Sequence, residues 1–287
     1  MSSALIQARD LGKKFGSQVA LDRVNFDVRV GRIVGLIGPN GAGKTTALRA
    51  VLGLTSYDGS LQVLGREPFR ERAALMSEAS FIADVAVLPA WLTVNQAIEF
   101  VGGVHPRFRA ERARTLLAKT DIRGDRRLRE LSKGMKTMVH LALTMAIDAR
   151  LLVLDEPTLG LDILARRGFY YALVNDYMDE TRTILITTHQ VEEIENFLTD
   201  VLFIDRGRIV LDCSTDELAA RYAAIAVTDD QLAAARAERP FHERPMLGKR
   251  ILYFERPDFD RLAAFGEVST PSVADLFVAK LSRGGTA

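Results

Sequence analysis

The stretch Gly38-Pro39-Asn40-Gly41-Ala42-Gly43-Lys44-Thr45-Thr46 constrains this chain more than any other. It follows an apolar run, Ile33 to Ile37, and precedes an amphipathic segment carrying Ala47, Leu48, Val51 and Leu52. Gly38, Gly43, Lys44 and Thr45 satisfy the pattern GxxxxGK[ST]. Phosphates concentrate negative charge and are held best by many N–H donors converging at short range. A glycine-rich turn lets successive amides face one point without a Cβ in the way, and the helix that follows adds the positive end of its dipole. Lys44 can reach the β- and γ-phosphates as a mobile point charge, and the Thr45 hydroxyl can ligate Mg²⁺. With a strand before it and a helix after it, the stretch reads as a nucleotide-binding loop. Asn40, Gly41 and Thr46 are assigned to the same contact.

At 287 residues the chain can form one large domain plus a small one, or two domains. A hydrophobic content of 48% with 26% charged residues is that of an ordinary soluble globular protein. The formal net charge of +1 gives no global attraction to nucleic acid or to an anionic membrane. Cys213 is the single cysteine, which excludes an internal disulfide framework and fits a reducing compartment; it reads as a small packed residue. No apolar stretch reaches about 18 residues, and the start, MSSALIQARD, lacks the pattern of a secretory signal. A cytosolic protein is expected, with any membrane role exercised through a partner.

Alternation predicts strands over Leu5–Leu11 and Val24–Val28, and Ile33–Ile37 reads as the buried strand feeding the loop. Phe15 lies between the first two, either as a ring that stacks on a purine or as a core residue. A helix follows the loop and runs out at Gly53. From Leu92 to about Arg129 the pattern is helical and arginine-rich, which reads as a solvated face. Leu151–Leu154, Thr183–Thr187 and Val201–Ile204 are continuous apolar strands separated by helical segments, the pattern of a parallel sheet covered on both faces. A hairpin turns at Asp205-Arg206-Gly207. Residues 219–287 read as an appendage: a strand at Ala223–Val227, a helix at Asp230–Glu238, a loop holding Pro240 and Pro245, a strand at Arg250–Phe254 and a helix at Val273–Leu281.

Asp155 and Glu156 end the Leu151–Leu154 strand, and ligands of open parallel sheets bind at the carboxyl ends of strands. Asp155 is placed to hold Mg²⁺, through water, and Glu156 to take a proton from water attacking the γ-phosphorus. With these residues in view, positions 1–215 resemble the nucleotide-binding subunit of an ABC transporter. GPNGAGKTT resembles the Walker A motif and LLVLDE, Leu151–Glu156, the Walker B motif. Leu131-Ser132-Lys133-Gly134-Met135 resembles the family signature, usually LSGGQ; Gly160-Leu161-Asp162 resembles the D-loop. Thr188-His189 resembles the switch region, in which the histidine senses the γ-phosphate.

The resemblance implies an α/β fold of the P-loop NTPase type with a mainly parallel sheet, an antiparallel β subdomain, a helical subdomain near 88–140 and a small α+β C-terminal appendage. Residues 1–218 would form the nucleotide-binding domain and 219–287 an accessory domain. It implies ATP and Mg²⁺ as ligands, ATP hydrolysis, and a head-to-tail dimer in which Ser132 and Gly134 of one subunit complete the Walker site of the other, with Asp162 counted among the nucleotide-binding residues as part of the D-loop. Ser132 and Asp162 serve equally well as helix caps. It also implies an integral membrane permease as partner, a place on the cytoplasmic face of the inner membrane, and no nucleic acid.

There are departures. Asp84 stands where the family's Q-loop has Gln or Glu; its carboxylate can still hold a metal-bound water. Lys133 and Met135 replace Gly and Gln, a variant similar to exporter subunits. Trp91, with Leu88 and Leu92, is either the groove for a permease helix or a core tryptophan. The tail Ser272–Phe277 is similar to drug-exporter ATPases and favours export, with an importer ATPase as the alternative. A soluble ABC ATPase of translation or DNA repair usually carries two ATPase units or long insertions. A GTPase or kinase has no use for Leu131–Met135.

Overall fold

Six strands form the central sheet of the computed structural model, which describes residues 4–82 and 88–282. They are β3 (Ile33–Ile37), β5 (Ala79–Ile82), β6 (Leu151–Asp155), β7 (Thr183–Thr188), β8 (Asp200–Asp205) and β9 (Arg208–Ser214), in the order β5-β6-β7-β3-β8-β9. All pair in parallel except β9, which returns antiparallel after the Arg206-Gly207 turn. Both residues of that turn have positive φ, +46° and +77°, as a two-residue hairpin turn with the native twist requires.

The apolar runs of these strands divide residue by residue between two cores. Ile33, Ile37, Leu152, Leu154, Ile184, Ile186 and Phe203 point to one face; Val34, Leu36, Leu151, Val153, Leu185 and Leu202 point to the other. That is why the strands read as unbroken hydrophobic segments: a parallel sheet buried on both sides has no polar face. One face is covered by α1 (Lys44–Val51) and by the antiparallel sheet of β1 (Ala4–Phe15), β2 (Gln18–Arg29) and β4 (Asp58–Val63), in the order β2-β1-β4. The other is covered by α5 (Lys133–Met145) and α6 (Ile163–Ala172). The short α2 (Arg72–Met76) leads into β5, and α3 (Val94–Val104), α4 (Ala110–Ala118) and α5 share a third core around Val94, Ile98, Leu117 and Val139.

The helical pattern of Leu92–Arg129 is interrupted between α3 and α4 and ends after Ala118. There the backbone binds elsewhere: Gly124 O accepts from Asn95 N at 2.9 Å, Arg126 O from Val94 N at 3.0 Å, and Leu128 N donates to Leu92 O at 2.9 Å. The arginines at 107, 109, 114, 123, 126, 127 and 129 are exposed, as a solvated face requires.

After α7 (Thr215–Arg221), four strands form the last sheet in the order β11-β12-β10-β13: β10 (Tyr222–Val227), β11 (His242–Met246), β12 (Lys249–Glu255) and β13 (Val268–Ser269). α8 (Asp229–Ala237) and α9 (Phe259–Ala263) lie against one face; α10 (Val273–Ser282) closes the other, with Leu276 and Ala279 in the same core as β3 and β8. The loop expected at Pro245 is instead strand β11, with Pro245 opposite Arg250. β11 is an edge strand, so the missing amide hydrogen of proline costs no ladder bond. Cys213 is packed at 5% exposure, and burial pushes its thiol pKa up to about 12. No helix among the described residues is long and apolar enough to cross a membrane.

Candidate active site

The loop between β3 and α1 is shaped by contacts that admit only glycine. A Cβ on Gly38 would lie 2.4 Å from Ile204 O, and one on Gly43, at φ +110°, would lie 2.5 Å from Ala20 O. Gly43 is also the N-cap of α1 and supplies no side chain to the first-turn amides, which leaves those donors for a ligand.

Lys44 is 7% exposed. Its Nζ donates to Gly38 O at 2.7 Å and Pro39 O at 3.3 Å, and stands 3.6 Å from Glu156 Oε1. Burial lowers its pKa, against the pull of the Glu156 and Asp155 carboxylates. Asp155 ends β6, buried at 4% exposure, and its Oδ1 accepts from Thr187 Oγ1 at 2.6 Å. Glu156 leaves the strand at φ +48°, a left-handed conformation that costs a non-glycine residue about 1–2 kcal/mol. Thr187 holds that turn, its Oγ1 accepting from Glu156 N at 3.1 Å and its O at 3.3 Å. The turn aims Glu156 so that Oε2 lies 2.8 Å from Nδ1 of His189, the residue after β7.

These groups open on one cavity of about 580 Å³. Phe15, Asn40, Gly41, Gly43, Lys44, Thr45, Thr46, Glu156 and His189 line it; Gly38 lies at the loop's entry, and Asp155 is buried behind Glu156. Phe15 is 51% exposed, under the ammonium of Lys13 at 5.2 Å from its ring centre, so it is not a core residue. Gln18, Ala20 and Leu159 also line the cavity, and no motif singles them out. Thr187 is a further residue the motifs miss. A threonine at the end of a strand reads as ordinary β propensity until β7 is paired with β6, which sets Asp155 opposite Thr187.

Ser132, Gly134 and Asp162 lie outside this cavity. Ser132 caps α5, its Oγ accepting from Met135 N at 3.2 Å, and Asp162 caps α6, its Oδ1 accepting from Ala165 N at 2.9 Å. The two caps adjoin: a Cβ on Gly134 would touch Leu161 at 3.7 Å, and the Lys133 side chain packs over Gly160. Asp84 lies outside the described residues.

Residues 21–159 match the family described as ABC transporter. The Nod factor export ATP-binding protein I of Cupriavidus metallidurans is 33% identical over 273 residues, covering 91% of this chain and 90% of that protein. A probable multidrug ABC transporter ATP-binding protein of Escherichia coli is 33% identical over 226 residues, which cover 76% of this chain and 39% of that one. Among solved structures, an ATP-binding subunit of an ABC transporter superposes with a TM-score of 0.68 at 26% identity, over 75% of this chain and 91% of the other. The loop after β3, the carboxylate pair at the end of β6 and the histidine after β7 lie at one end of a single sheet, and with the matched family model and an export ATP-binding protein matched over 90% of its length, the chain belongs to the ABC transporter family, as an ATP-binding and ATP-hydrolysing subunit.

Proposed function

We propose that this chain is the motor of an exporter, working from the cytoplasmic face of the membrane on a separate permease. The observation that carries its mechanism is the Glu156 carboxylate, 2.8 Å from His189 and 3.6 Å from Lys44 at a phosphate-loop cavity. In that position Glu156 takes the proton of the attacking water, His189 contacts the γ-phosphate, and Lys44 leaves the loop carbonyls to meet the β- and γ-oxygens. Phe15 offers a ring to the purine. The Thr45 hydroxyl and the Asp155 carboxylate are hard oxygen donors that suit Mg²⁺, with Asp84 as a further candidate. Bound there, the ion would neutralise charge building on the phosphate oxygens.

Ser132, Gly134 and Asp162 stand apart from this cavity, which supports their serving the nucleotide of a second subunit in a head-to-tail dimer. Residues 1–218 are proposed as the nucleotide-binding domain, with the helical subdomain near 88–140, and 219–287 as an accessory domain. The relative matched over 90% of its length is an export protein, which favours export over import. Trp91, 65% exposed beside the half-buried Leu88, supports a groove for a permease helix. The net charge of +1 supports a partner other than nucleic acid.

Glu156→Gln keeps the shape and removes the base. The purified variant is expected to bind ATP, turn over about 10²–10⁴-fold more slowly and run as a dimer with ATP and Mg²⁺ in size-exclusion chromatography. Turnover at the parent rate would show that another group is the base. Recovery with ribosomes or DNA, and not with a multispanning membrane protein, would sink the transport reading.

A further inference from the structure

Arg166 belongs to none of the motifs, yet two of the segments around the site meet on it. It lies on α6, four residues past the cap Asp162. Its Nε donates to the carbonyl of Leu161 at 2.7 Å, and Nη1 donates to Gln190 Oε1 at 2.7 Å and to the carboxylate of Glu193. Leu161 precedes Asp162 in the loop that adjoins Gly134. Gln190 follows His189 directly, and Glu193 ends the short helical turn Val191–Glu193.

The guanidinium is planar, so each of these bonds fixes a direction as well as a distance, which an ammonium cannot do. The Arg166 side chain is 19% exposed, where hydrogen bonds are stronger than in water. Glu193 Oε2 is buried with no hydrogen-bond partner among the described residues, while the side chain as a whole is 28% exposed, so the bond from Arg166 to the other oxygen offsets part of the cost of its partial burial. One turn away on the same helix, the Tyr170 hydroxyl bonds Thr158 Oγ1 at 3.1 Å, two residues past Glu156. Helix α6 therefore grips the segment of the base through Tyr170 and the segment of the histidine through Arg166.

We infer that Arg166 is a positioning residue for hydrolysis: it holds the switch segment at a fixed separation from Leu161 and so sets His189 against Glu156. The inference rests on the roles proposed for Glu156 and His189. Arg166 does not line the nucleotide cavity, so its loss should slow the chemical step and spare binding.

The test is a double-mutant cycle on the full-length chain, reading single-turnover ATP hydrolysis and the equilibrium affinity for ATP. Arg166→Ala should lower the hydrolysis rate by about tenfold or more and leave ATP affinity within about twofold. Arg166→Lys should recover only part of the loss. In a His189→Ala background, Arg166→Ala should cost less than about twofold more, because its effect runs through the histidine. A rate within about twofold of the parent for Arg166→Ala, or an equal loss in both backgrounds, would overturn the inference. If Arg166→Ala does not fold, Gln190→Ala carries the same cycle, since it removes one acceptor without stranding a buried charge. His189→Ala with parent turnover would remove the underlying reading instead, and the inference with it.

Discussion

At Gly38 an added Cβ would meet the Ile204 carbonyl at 2.4 Å and Ile204 Cγ2 at 2.8 Å, both on the strand that walls the loop. The carbonyl is backbone and the methyl sits on a β-branched side chain that is fully buried, so neither can swing away and Gly38→Ala must push the loop entry from β8. We expect a loss of about 1–3 kcal/mol of stability and a weakening of ATP binding by an order of magnitude or more, measured by denaturant titration and nucleotide titration. At Gly41 a Cβ would meet open space, and only φ +80° resists it. Gly41→Ala should therefore lose about 1–2 kcal/mol at most. Equal damage at both positions would mean that conformation, and not wall contact, governs the loop. The sequence made Lys44, Glu156 and His189 legible because loop spacing and strand ends restrict where the backbone can go. Thr187 and Arg166 stayed hidden because their partners lie 31 and 32 residues away along the chain for Thr187, and 24 and 27 for Arg166.

Among the elements, helix ends followed local chemistry and strand edges did not. The helix after the phosphate loop ends as Gly53 foretells: Gly53 takes φ +65°, its N–H bonds Ala50 O at 2.9 Å, and Leu54 N–H bonds Arg49 O at 2.7 Å. These two bonds satisfy carbonyls that the last turn would otherwise leave open. Thr93 and Gln96 close the start of α3 reciprocally, with bonds of 3.2 Å and 2.9 Å. By contrast, β11 reads as a loop in the sequence because proline argues against a strand wherever its neighbours are unknown. Only the sheet order, which puts β11 at the edge, removes the objection. Ser132 separates the two roles an element end can have. As a cap it bonds Met135 N at 3.2 Å, and Ser132→Ala should cost about 1 kcal/mol in a urea titration. If it also completes a partner's nucleotide site, ATP turnover should fall by far more than that loss of stability explains. Turnover near the parent level would leave Ser132 as a cap alone.

For the molecule as a whole, the segment after β9 is bound to the ATPase core through its last helix. Leu276 and Ala279 of α10 are fully buried, and the Phe277 ring meets Phe203 of β8 edge to face, 5.3 Å between centres. The amphipathic period of Val273–Leu281 marks an apolar face but does not name the strand that receives it, so this return is invisible before the chain is folded. α10 also carries Lys280, whose Nζ lies 2.7 Å from Glu255 Oε2 and 4.9 Å from the ring centres of Tyr222 and Phe241. Arg221 and the Tyr222 hydroxyl donate to Glu255 Oε1 at 2.7 and 3.1 Å. Burial raises the Glu255 pKa, but these donors and the two cations outweigh it and bring the carboxyl from 4.5 down to about 2. A carboxyl with a depressed pKa in the folded state binds its proton more readily when unfolded. Its contribution is therefore complete above pH 4.5 and is lost as pH falls from there through about 2. Denaturant midpoints followed by circular dichroism across that window should fall with acidity, and Glu255→Gln should flatten part of the fall while lowering the plateau above it. An unchanged slope in Glu255→Gln would show that the acid sensitivity of the fold lies in other carboxylates, and that α10 is held by its apolar face alone.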